Sequence, residues 1–413
     1  MKPRLWTKDF TRITLATAMG AAGGIAGGFA LSFLVFDQTG STLAAALIVA
    51  IQLVPQFILP LFIAPHMDRM PRKPFLVGGD LLNGVIYILM GCYLLRFSFS
   101  YVGYLAVSLL LACLGSFDQL AYESIYPSLI PEGMEQKGYA VSSMLYPLLR
   151  VLMMPLGAVL MDTLGVPLLL VLQGGLSVAA AVTESGIRVP ETCRTEEAYS
   201  FRLWRRDVRE ALVYLRQERG LRSIYAYMAV TNGVAGGYAP LMVAFFRTMP
   251  GMTAHMYALF SVAEFLGRTL GGAVQYRVTI PPKRKFSFAF CVYQVYELMD
   301  MCLLWLPYGA MLANRALCGF LGTNSATMRR AAVQRYIPER LRARVNAFSG
   351  MLDTAAYSVF CLLIGALGEV LDYRLCLTLG GAFTLLVCYL TIWRCRADVR
   401  AVYEKEEDAD AAA

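Results

Sequence analysis

Two long apolar segments are separated by the ten-residue stretch Pro65-His66-Met67-Asp68-Arg69-Met70-Pro71-Arg72-Lys73-Pro74. Its charged residues and prolines stand out in a chain of 413 residues that is 57% hydrophobic and only 16% charged. The mean hydropathy is +0.54. This composition is typical of an integral membrane protein rather than of a soluble domain. The stretch therefore predicts a polar loop between two membrane spans.

Apolar runs long enough to cross a bilayer recur on both sides of this loop. A helix needs about 20 residues to cross roughly 30 Å of hydrocarbon, and the chain contains about twelve such runs. We expect spans at residues 10–36, 41–64, 75–97, 101–127, 138–161, 166–186, 222–246, 252–276, 286–306, 308–328, 345–368 and 374–394. Backbone groups in lipid must be paired within the segment, so each span is predicted to be a helix.

Lys and Arg residues are distributed unequally between the two ends of these spans. Most of the 37 lie in the N-terminal segment, in the loops after even-numbered spans, in the central link and in the tail, whereas Arg96, Arg247 and Arg374 lie at the opposite ends. Cytoplasmic loops hold the excess of Lys and Arg. We therefore expect a multi-pass protein of the plasma (bacterial inner) membrane with both termini cytoplasmic. The net charge of +8 follows from this asymmetry and does not indicate a nucleic-acid partner.

The two halves of the chain repeat one another. Residues 24–30 read Gly-Ile-Ala-Gly-Gly-Phe-Ala and residues 233–239 read Gly-Val-Ala-Gly-Gly-Tyr-Ala, an offset of 209. The tripeptide Ile-Pro-Glu at 130–132 recurs at 337–339, an offset of 207. A direct repeat of six spans predicts two six-helix bundles related by a parallel pseudo-twofold axis.

This repeat predicts four segments. We expect an N-terminal six-helix bundle at 1–186, a cytoplasmic linker at 187–221, a C-terminal six-helix bundle at 222–395 and a cytoplasmic tail at 396–413. Charged and apolar residues alternate at helical spacing in the linker, which favours an amphipathic helix on the inner leaflet. A solvated connector is the alternative interpretation.

The loop resembles the signature of the major facilitator superfamily, which reads Gly, three residues, Asp-Arg, one residue, Gly, Arg-Lys. Four positions match this pattern, namely Asp68, Arg69, Arg72 and Lys73. Ala64 and Pro71 replace the two glycines. The resemblance implies an all-α integral membrane fold of about twelve transmembrane helices, arranged as two six-helix bundles.

Three short motifs in the first 80 or so residues are similar to those of the drug and macrolide efflux branch of that superfamily. They are Phe36-Asp37-Gln38-Thr39-Gly40-Ser41, Leu53-Val54-Pro55 and Gly78-Gly79-Asp80-Leu81. The resemblance implies a transporter that works by alternating access.

The loop signature has a physical role of its own. Asp68 can pair with Arg69, with Arg72 or with groups of a neighbouring bundle, and such an ion network can lock one of two transport states. We therefore expect Asp68, Arg69, Arg72 and Lys73 to form a gating loop. The alternative is a purely topological role, in which the basic residues hold the loop in the cytoplasm.

Charged residues inside the spans are the main candidates for the transport pathway, because an ionised group at mid-bilayer is costly unless it is paired or faces water. The substrate or proton pathway candidates are Asp353, Glu264, Arg268, Arg150, Asn232 and Gln56. Asp353 has no partner on its own helix and is the expected proton carrier. Glu264 and Arg268 lie four residues apart on one helix face, so they form either a self-contained pair or a functional one.

A second rank of candidates consists of Asp118, Glu123, Asp300 and Arg315. Asp300 and Arg315 lie at similar depths on consecutive spans, which predicts a structural ion pair. Asp118 and Glu123 lie toward the inner end of the fourth span, where either can meet Arg150 from the fifth.

The leading hypothesis is a proton-coupled exporter of a small amphipathic molecule. An importer, or an anion carrier that uses Arg150, is the first alternative, and a non-transporting sensor or binding protein of the same fold is the second. No nucleophile with its base, metal-ligand cluster or phosphate-binding loop is evident, so the sequence predicts no enzyme activity, cofactor or metal. The expected partners are membrane lipid, a small-molecule substrate and protons, and the resemblance implies a monomer.

Overall fold

The computed structural model describes residues 5–67, 71–131, 134–188, 201–277 and 280–404. The predicted gating residues Asp68 and Arg69 lie outside these ranges, as do part of the predicted linker and the end of the tail. Within the described ranges every regular element is helical. This agrees with a chain whose backbone must satisfy its own hydrogen bonds in lipid.

Thirteen α-helices are present in the described residues. They are α1 (Lys8–Thr39), α2 (Thr42–Met67), α3 (Lys73–Arg96), α4 (Tyr101–Ile125), α5 (Glu135–Ser185), α6 (Phe201–Gln217), α7 (Arg219–Thr248), α8 (Ala254–Arg277), α9 (Pro282–Cys302), α10 (Tyr308–Tyr336), α11 (Glu339–Val370), α12 (Tyr373–Cys388) and α13 (Arg396–Glu404).

Local sequence signals explain several of the helix ends. The Thr7 hydroxyl accepts a hydrogen bond from the Phe10 backbone N–H at 3.1 Å and so caps the start of α1. Gly40 ends the same helix in the left-handed conformation at φ 65°, which glycine adopts without a steric penalty. The Asp372 carboxylate accepts from the Arg374 N–H at 2.8 Å at the start of α12.

The fifth and sixth predicted spans are joined in the long helix α5. Its regular geometry is interrupted at Gly165, where φ is 77° and ψ is 162°. Pro167 follows two residues later and restricts the backbone that precedes it. The break at Gly165 therefore separates a first arm, at about the predicted 138–161, from a second arm at about 166–186.

Eight helices of the described chain are long and apolar enough to cross a membrane. One of these stretches, Lys137–Ser185, has 49 residues and is long enough for two crossings at about 1.5 Å per residue. Helices α8 and α10 are not among the eight, because the charged residues that mark them as site candidates lower their mean hydropathy.

The chain divides into two compact units. Unit 1 contains residues 1–201 and 246–258, and unit 2 contains residues 202–245 and 259–413. In unit 1 the helices α1 and α3 both pack against α5. Added methyl groups at Gly84 and Gly91 of α3 would approach α5 atoms within 2.7 Å and 2.5 Å, so these glycines permit the close contact.

Unit 2 has its core around α9, which contacts α10, α12 and α13. Helix α6 lies within the predicted linker, and its Leu215 is buried in this core whereas Arg205, Arg206 and Arg209 are exposed. Glu210 forms an ion pair with Arg344 of α11. The described part of the linker thus has the two-sided character expected of an amphipathic helix.

Close approach of α8 and α10 is the feature of unit 2 that positions its charged residues. A Cβ atom at Gly267 would lie 1.8 Å from the carbonyl oxygen of Ala316, and one at Gly319 would lie 2.2 Å from the carbonyl oxygen of Glu264. The two backbones touch at these glycines, so side chains on either helix can reach across the contact.

Replacing Gly267 with alanine is expected to destabilise unit 2, because overpacking at a tight contact typically costs about 1–3 kcal/mol. Gly272 of the same helix is the matched control, since a Cβ atom there meets nothing within 4 Å. Thermal unfolding of the purified protein in detergent should show a lower midpoint for Gly267→Ala and an unchanged or higher midpoint for Gly272→Ala. Equal midpoints for the two variants would contradict the close contact.

Candidate functional site

Unit 2 contains a network of four charged side chains on three helices. Glu264 accepts hydrogen bonds from Arg268 Nη2 at 2.5 Å and from Arg315 Nε at 2.9 Å. Arg315 Nη1 also donates to Asp300 Oδ1 at 3.0 Å. The two pairs expected from the sequence, Glu264 with Arg268 and Asp300 with Arg315, are therefore present, and Arg315 joins them.

The arrangement of this network suits a structural role. Asp300 is only 2% exposed, and the Arg315 side chain is 18% exposed. The Arg315 guanidinium also lies over the Phe260 ring, 5.4 Å from its centroid. Two acids share one buried cation, so Arg315 is the member whose loss leaves the most charge without a partner.

Asp353, the expected proton carrier, lies half-buried on α11. It has a side-chain hydrogen bond with Asn232 of α7 and interacts electrostatically with Arg329 of α10. Asp353 thus has partners on two neighbouring helices, and the second pathway candidate, Asn232, is one of them.

The sequence interpretation missed Arg329. Its predicted span ended at residue 328, which put Arg329 in a loop, whereas α10 continues to Tyr336. Arg329 also has a side-chain hydrogen bond with Tyr293, whose hydroxyl lies 2.6 Å from that of Tyr403 on α13. The cation beside Asp353 is therefore held from its other side by α9 and the C-terminal helix.

A cavity of about 410 Å³ lies beside these groups in unit 2. Asn232, Arg268, Glu297 and Arg329 line it, together with aromatic and small residues. Glu297 accepts hydrogen bonds from the hydroxyls of Tyr227, Thr231 and Thr384 at 3.2, 2.6 and 2.6 Å. The cavity wall thus carries charges of both signs.

Unit 1 contains a larger cavity, of about 870 Å³. Four acidic residues line it, namely Asp80, Asp118, Glu123 and Glu184. The pathway candidate Gln56 lines it as well. The second-rank candidates Asp118 and Glu123 therefore belong to this cavity, with Asp80 and Glu184 as additional members that the sequence interpretation did not select.

The expected contact of Arg150 with this group is wrong. Arg150 is exposed and does not line the cavity. Glu123 instead accepts a hydrogen bond from Gln119 at 2.7 Å, and Asp118 Oδ1 is buried without a hydrogen-bond partner among the described residues. A place on the neighbouring span did not establish that the side chains face each other.

A signal for Asp80 and Glu184 was available in the sequence, since each is an acid inside a predicted span. Asp80 has no basic residue three or four positions away, and the basic residue four positions after Glu184, Arg188, lies beyond the end of the span. The sequence interpretation used Asp80 only as a member of the motif Gly78-Gly79-Asp80-Leu81. Glu184 lies close to the end of its span, where an acid commonly reaches water. Only the packing of α3, α4 and α5 shows that both face one cavity.

Another ion pair in unit 1 joins Asp37 of α1 to Arg247. Arg247 Nε and Nη2 donate to the two carboxylate oxygens at 2.6 and 2.7 Å, a bidentate geometry that is among the stronger ion contacts. Arg247 was one of the basic residues at the sparsely charged ends of the spans, and its charge is compensated there by Asp37.

Arg72 and Lys73, the described members of the predicted gating loop, lie at the start of α3, where Arg72 occupies the N-cap position. Asp68 and Arg69 lie outside the described residues, so the gating role stays a prediction.

Comparison with known families supports the fold and the class of protein. The model of the Major Facilitator Superfamily matches residues 13–296. An uncharacterized MFS-type transporter of Bacillus subtilis, YkuC, is 20% identical over 325 residues, which are 74% of each chain.

Solved structures share the architecture at low sequence identity. The nucleoside transporter NupG aligns with a TM-score of 0.68 and 9% identity over 93% of this chain and 99% of its own. A peptide transporter, POT, gives 0.69 and 10% over 96% of both chains. The E. coli fucose:proton symporter FucP gives 0.57 and 14% over 95% and 99%. The predicted all-α membrane fold is confirmed by these matches.

Replacing Arg315 with methionine is expected to destabilise the protein by about 3–5 kcal/mol, because it leaves Glu264 and Asp300 without their shared cation. Arg268→Met is the matched control. The Arg268 side chain is 59% exposed, and an exposed pair contributes about 0–1 kcal/mol. Thermal unfolding in detergent measures both. Equal losses in the two variants would show that Arg315 does not hold the network together.

Proposed function

The chain belongs to the major facilitator superfamily and is a multi-pass membrane transporter, and from this premise we propose that it exports a small amphipathic molecule in exchange for protons. Export proceeds by alternating access, in which a binding site opens first to one side of the membrane and then to the other. The protein acts as a monomer in the plasma membrane, with both termini in the cytoplasm.

The surroundings of Asp353 carry the proposal. Three other acids of unit 2 have fixed partners, since Glu264 and Asp300 share Arg315 and Glu297 accepts three hydroxyl hydrogen bonds. Asp353 is half-buried and interacts with the Asn232 amide, the Arg329 cation and Tyr225. An acid in this setting can exchange its ionic partner for a proton with less disruption than an acid inside a closed network.

Proton binding at Asp353 has a direct structural consequence. Neutralising the carboxylate removes the attraction between Asp353 and Arg329, and the cation then remains with tyrosines, of which Tyr293 shares a hydrogen bond with it. The groups involved belong to α7, α9, α10 and α11. A proton on one side chain thereby changes the balance of contacts among four helices, as a coupled transporter requires.

The substrate class follows from the cavity linings. Both cavities combine polar groups with tyrosine rings, which suits a molecule with an apolar body and a polar end. Export rather than import is supported by the motifs similar to the drug and macrolide efflux branch in the first 80 or so residues. The fucose neighbour is by its name a proton symporter, so the test of function must distinguish both directions.

Inside-out and right-side-out membrane vesicles separate these possibilities. With a proton gradient imposed and a panel of fluorescent dyes and macrolides as probes, an exporter accumulates probe in inside-out vesicles, and a protonophore abolishes the accumulation. Accumulation only in right-side-out vesicles would establish import and overturn the proposed direction. Specific binding with no transport in either preparation would favour the sensor alternative.

Asp353→Asn is expected to abolish gradient-driven accumulation while the protein remains folded, because asparagine keeps the size and hydrogen bonding of the side chain but cannot take up the proton. Asp372→Asn is the matched control, since Asp372 caps α12 and asparagine is an equally good N-cap. Undiminished gradient-driven accumulation in Asp353→Asn would assign proton transfer to another residue.

A further inference from the structure

The cavity of unit 1 has an unusual charge balance. Its four acids come from α3, α4 and the second arm of α5, and no Lys, Arg or His of the described chain is among the residues that line it. Asp80, Asp118 and Glu184 also interact electrostatically with one another. Three acids in mutual repulsion, without a basic residue in the wall, give the cavity an acidic lining inside a membrane protein.

Two side chains of the cavity wall are deeply buried and lack partners for one oxygen each. Glu184 is 3% exposed and Gln173 is 4% exposed. Glu184 Oε2 and Gln173 Oε1 have no hydrogen-bond partner among the described residues, and the same holds for Asp118 Oδ1. A buried acceptor without a partner lowers stability. Such groups in a membrane protein are expected to serve a bound species that supplies the missing partner.

The backbone packing holds these oxygens in place. A Cβ atom at Gly79 of α3 would lie 3.2 Å from the Cβ atom of Asp118, and one at Gly27 of α1 would collide with the side-chain amide of Gln173. Asp80, next to Gly79, is thereby brought to the same level as Asp118. The acids are thus fixed by close helix contacts and not by flexible loops.

The missing partner does not have the character of a metal ion. Among the residues that the structure describes, no group of three or more His, Cys, Asp or Glu is placed to hold one. The cavity, at about 870 Å³, lies in the range of sites for drug-sized molecules, about 300–1,000 Å³. Tyr87, Tyr122 and Tyr146 line it and offer aromatic faces on which an organic cation is stabilised.

We propose that the cavity of unit 1 binds an organic monocation, such as a protonated amine or a quaternary onium group, with Glu184 and Asp118 as its counter-charges. The inference rests on the proposed function, since it names the substrate class of the exporter. Bound cation and bound protons both neutralise these carboxylates, so each excludes the other. Exchange of one for the other then requires no uncompensated charge in the membrane.

Equilibrium binding to the purified full chain in lipid nanodiscs tests the inference. The probes are tetraphenylphosphonium and tetraphenylborate, which have nearly the same shape and opposite charge, with empty nanodiscs as background. We expect saturable binding of the phosphonium and none of the borate. Equal binding of the two ions would overturn the proposal, and so would displacement of the phosphonium by sodium at the concentration at which potassium has no effect.

Substitution of the counter-charges locates the site. Glu184→Gln and Asp118→Asn should each weaken phosphonium binding at least tenfold, whereas Asp162→Asn should leave it unchanged. Asp162 is an acid of the same unit whose side chain is 57% exposed, and it does not line the cavity. Unchanged binding in both cavity variants would refute the assignment.

A second measurement needs no variant and remains valid if the substituted proteins fail to fold. Phosphonium should raise the thermal unfolding midpoint of the unsubstituted protein, and borate should not. Binding without transport in the vesicle assay would leave this site standing and overturn the export proposal. Transport that is insensitive to Glu184→Gln would leave the export proposal standing and overturn this site.

Discussion

A polar group that is buried without a partner in a low-dielectric environment costs free energy, and this cost constrains both the backbone and the side chains of the protein. Backbone N–H and C=O groups avoid this cost by forming helices, and polar side chains avoid it by pairing with one another. In unit 2 several buried acids are paired. Arg315 serves Glu264 and Asp300 at 2.9 and 3.0 Å, and Glu297 receives three hydroxyl donors. Asp353 lies half-buried with partners on α7 and α10, and it is therefore proposed as the group that changes its charge.

Unit 1 is organised by the same constraint in a different way. Its described ion pairs, such as Asp37 with Arg247, lie away from the acid-lined cavity. Inside the cavity, close packing at Gly79 and Gly27 fixes acidic and amide oxygens whose partners are absent from the wall. The energetic cost of this arrangement is consistent with a site whose counter-charge arrives from outside the protein.

Contacts between residues close together in the sequence were easier to predict than contacts between distant helices. Glu264 and Arg268 are four residues apart on one helix, so their contact required only helical periodicity. The contact between Asp300 and Arg315 was predicted from their similar depths on consecutive spans, and counting residues gives these depths. Arg150 was expected to meet Asp118 or Glu123 from the neighbouring span and does not, because the order of the spans does not determine the direction in which a helix face points.

Two further discrepancies have identifiable causes. Arg329 was missed since hydropathy ended its span at residue 328, although α10 continues to Tyr336. The break inside α5 depends on a positive φ at Gly165, and hydropathy shows only two apolar runs there. The long apolar helices were predictable because they rest on patterns of 20 or more residues, whereas the cavity of unit 1 rests on single contacts between helices.

The internal repeat also shows which residues the fold itself requires. The repeated segments keep their glycines, as at 24–30 and 233–239, and glycine is what close helix contacts need. Across the observed offsets of 207–209, Asp80, Asp118 and Glu184 correspond to residues 287–289, 325–327 and 391–393, which contain no acid. The corresponding positions of unit 2 lie on α9, on α10 and in the helical turn after α12. The C-terminal half therefore forms helices at these positions without an acid, so helix formation does not demand one. Their presence in one unit only is better explained by a ligand of that unit than by a structural need of the fold.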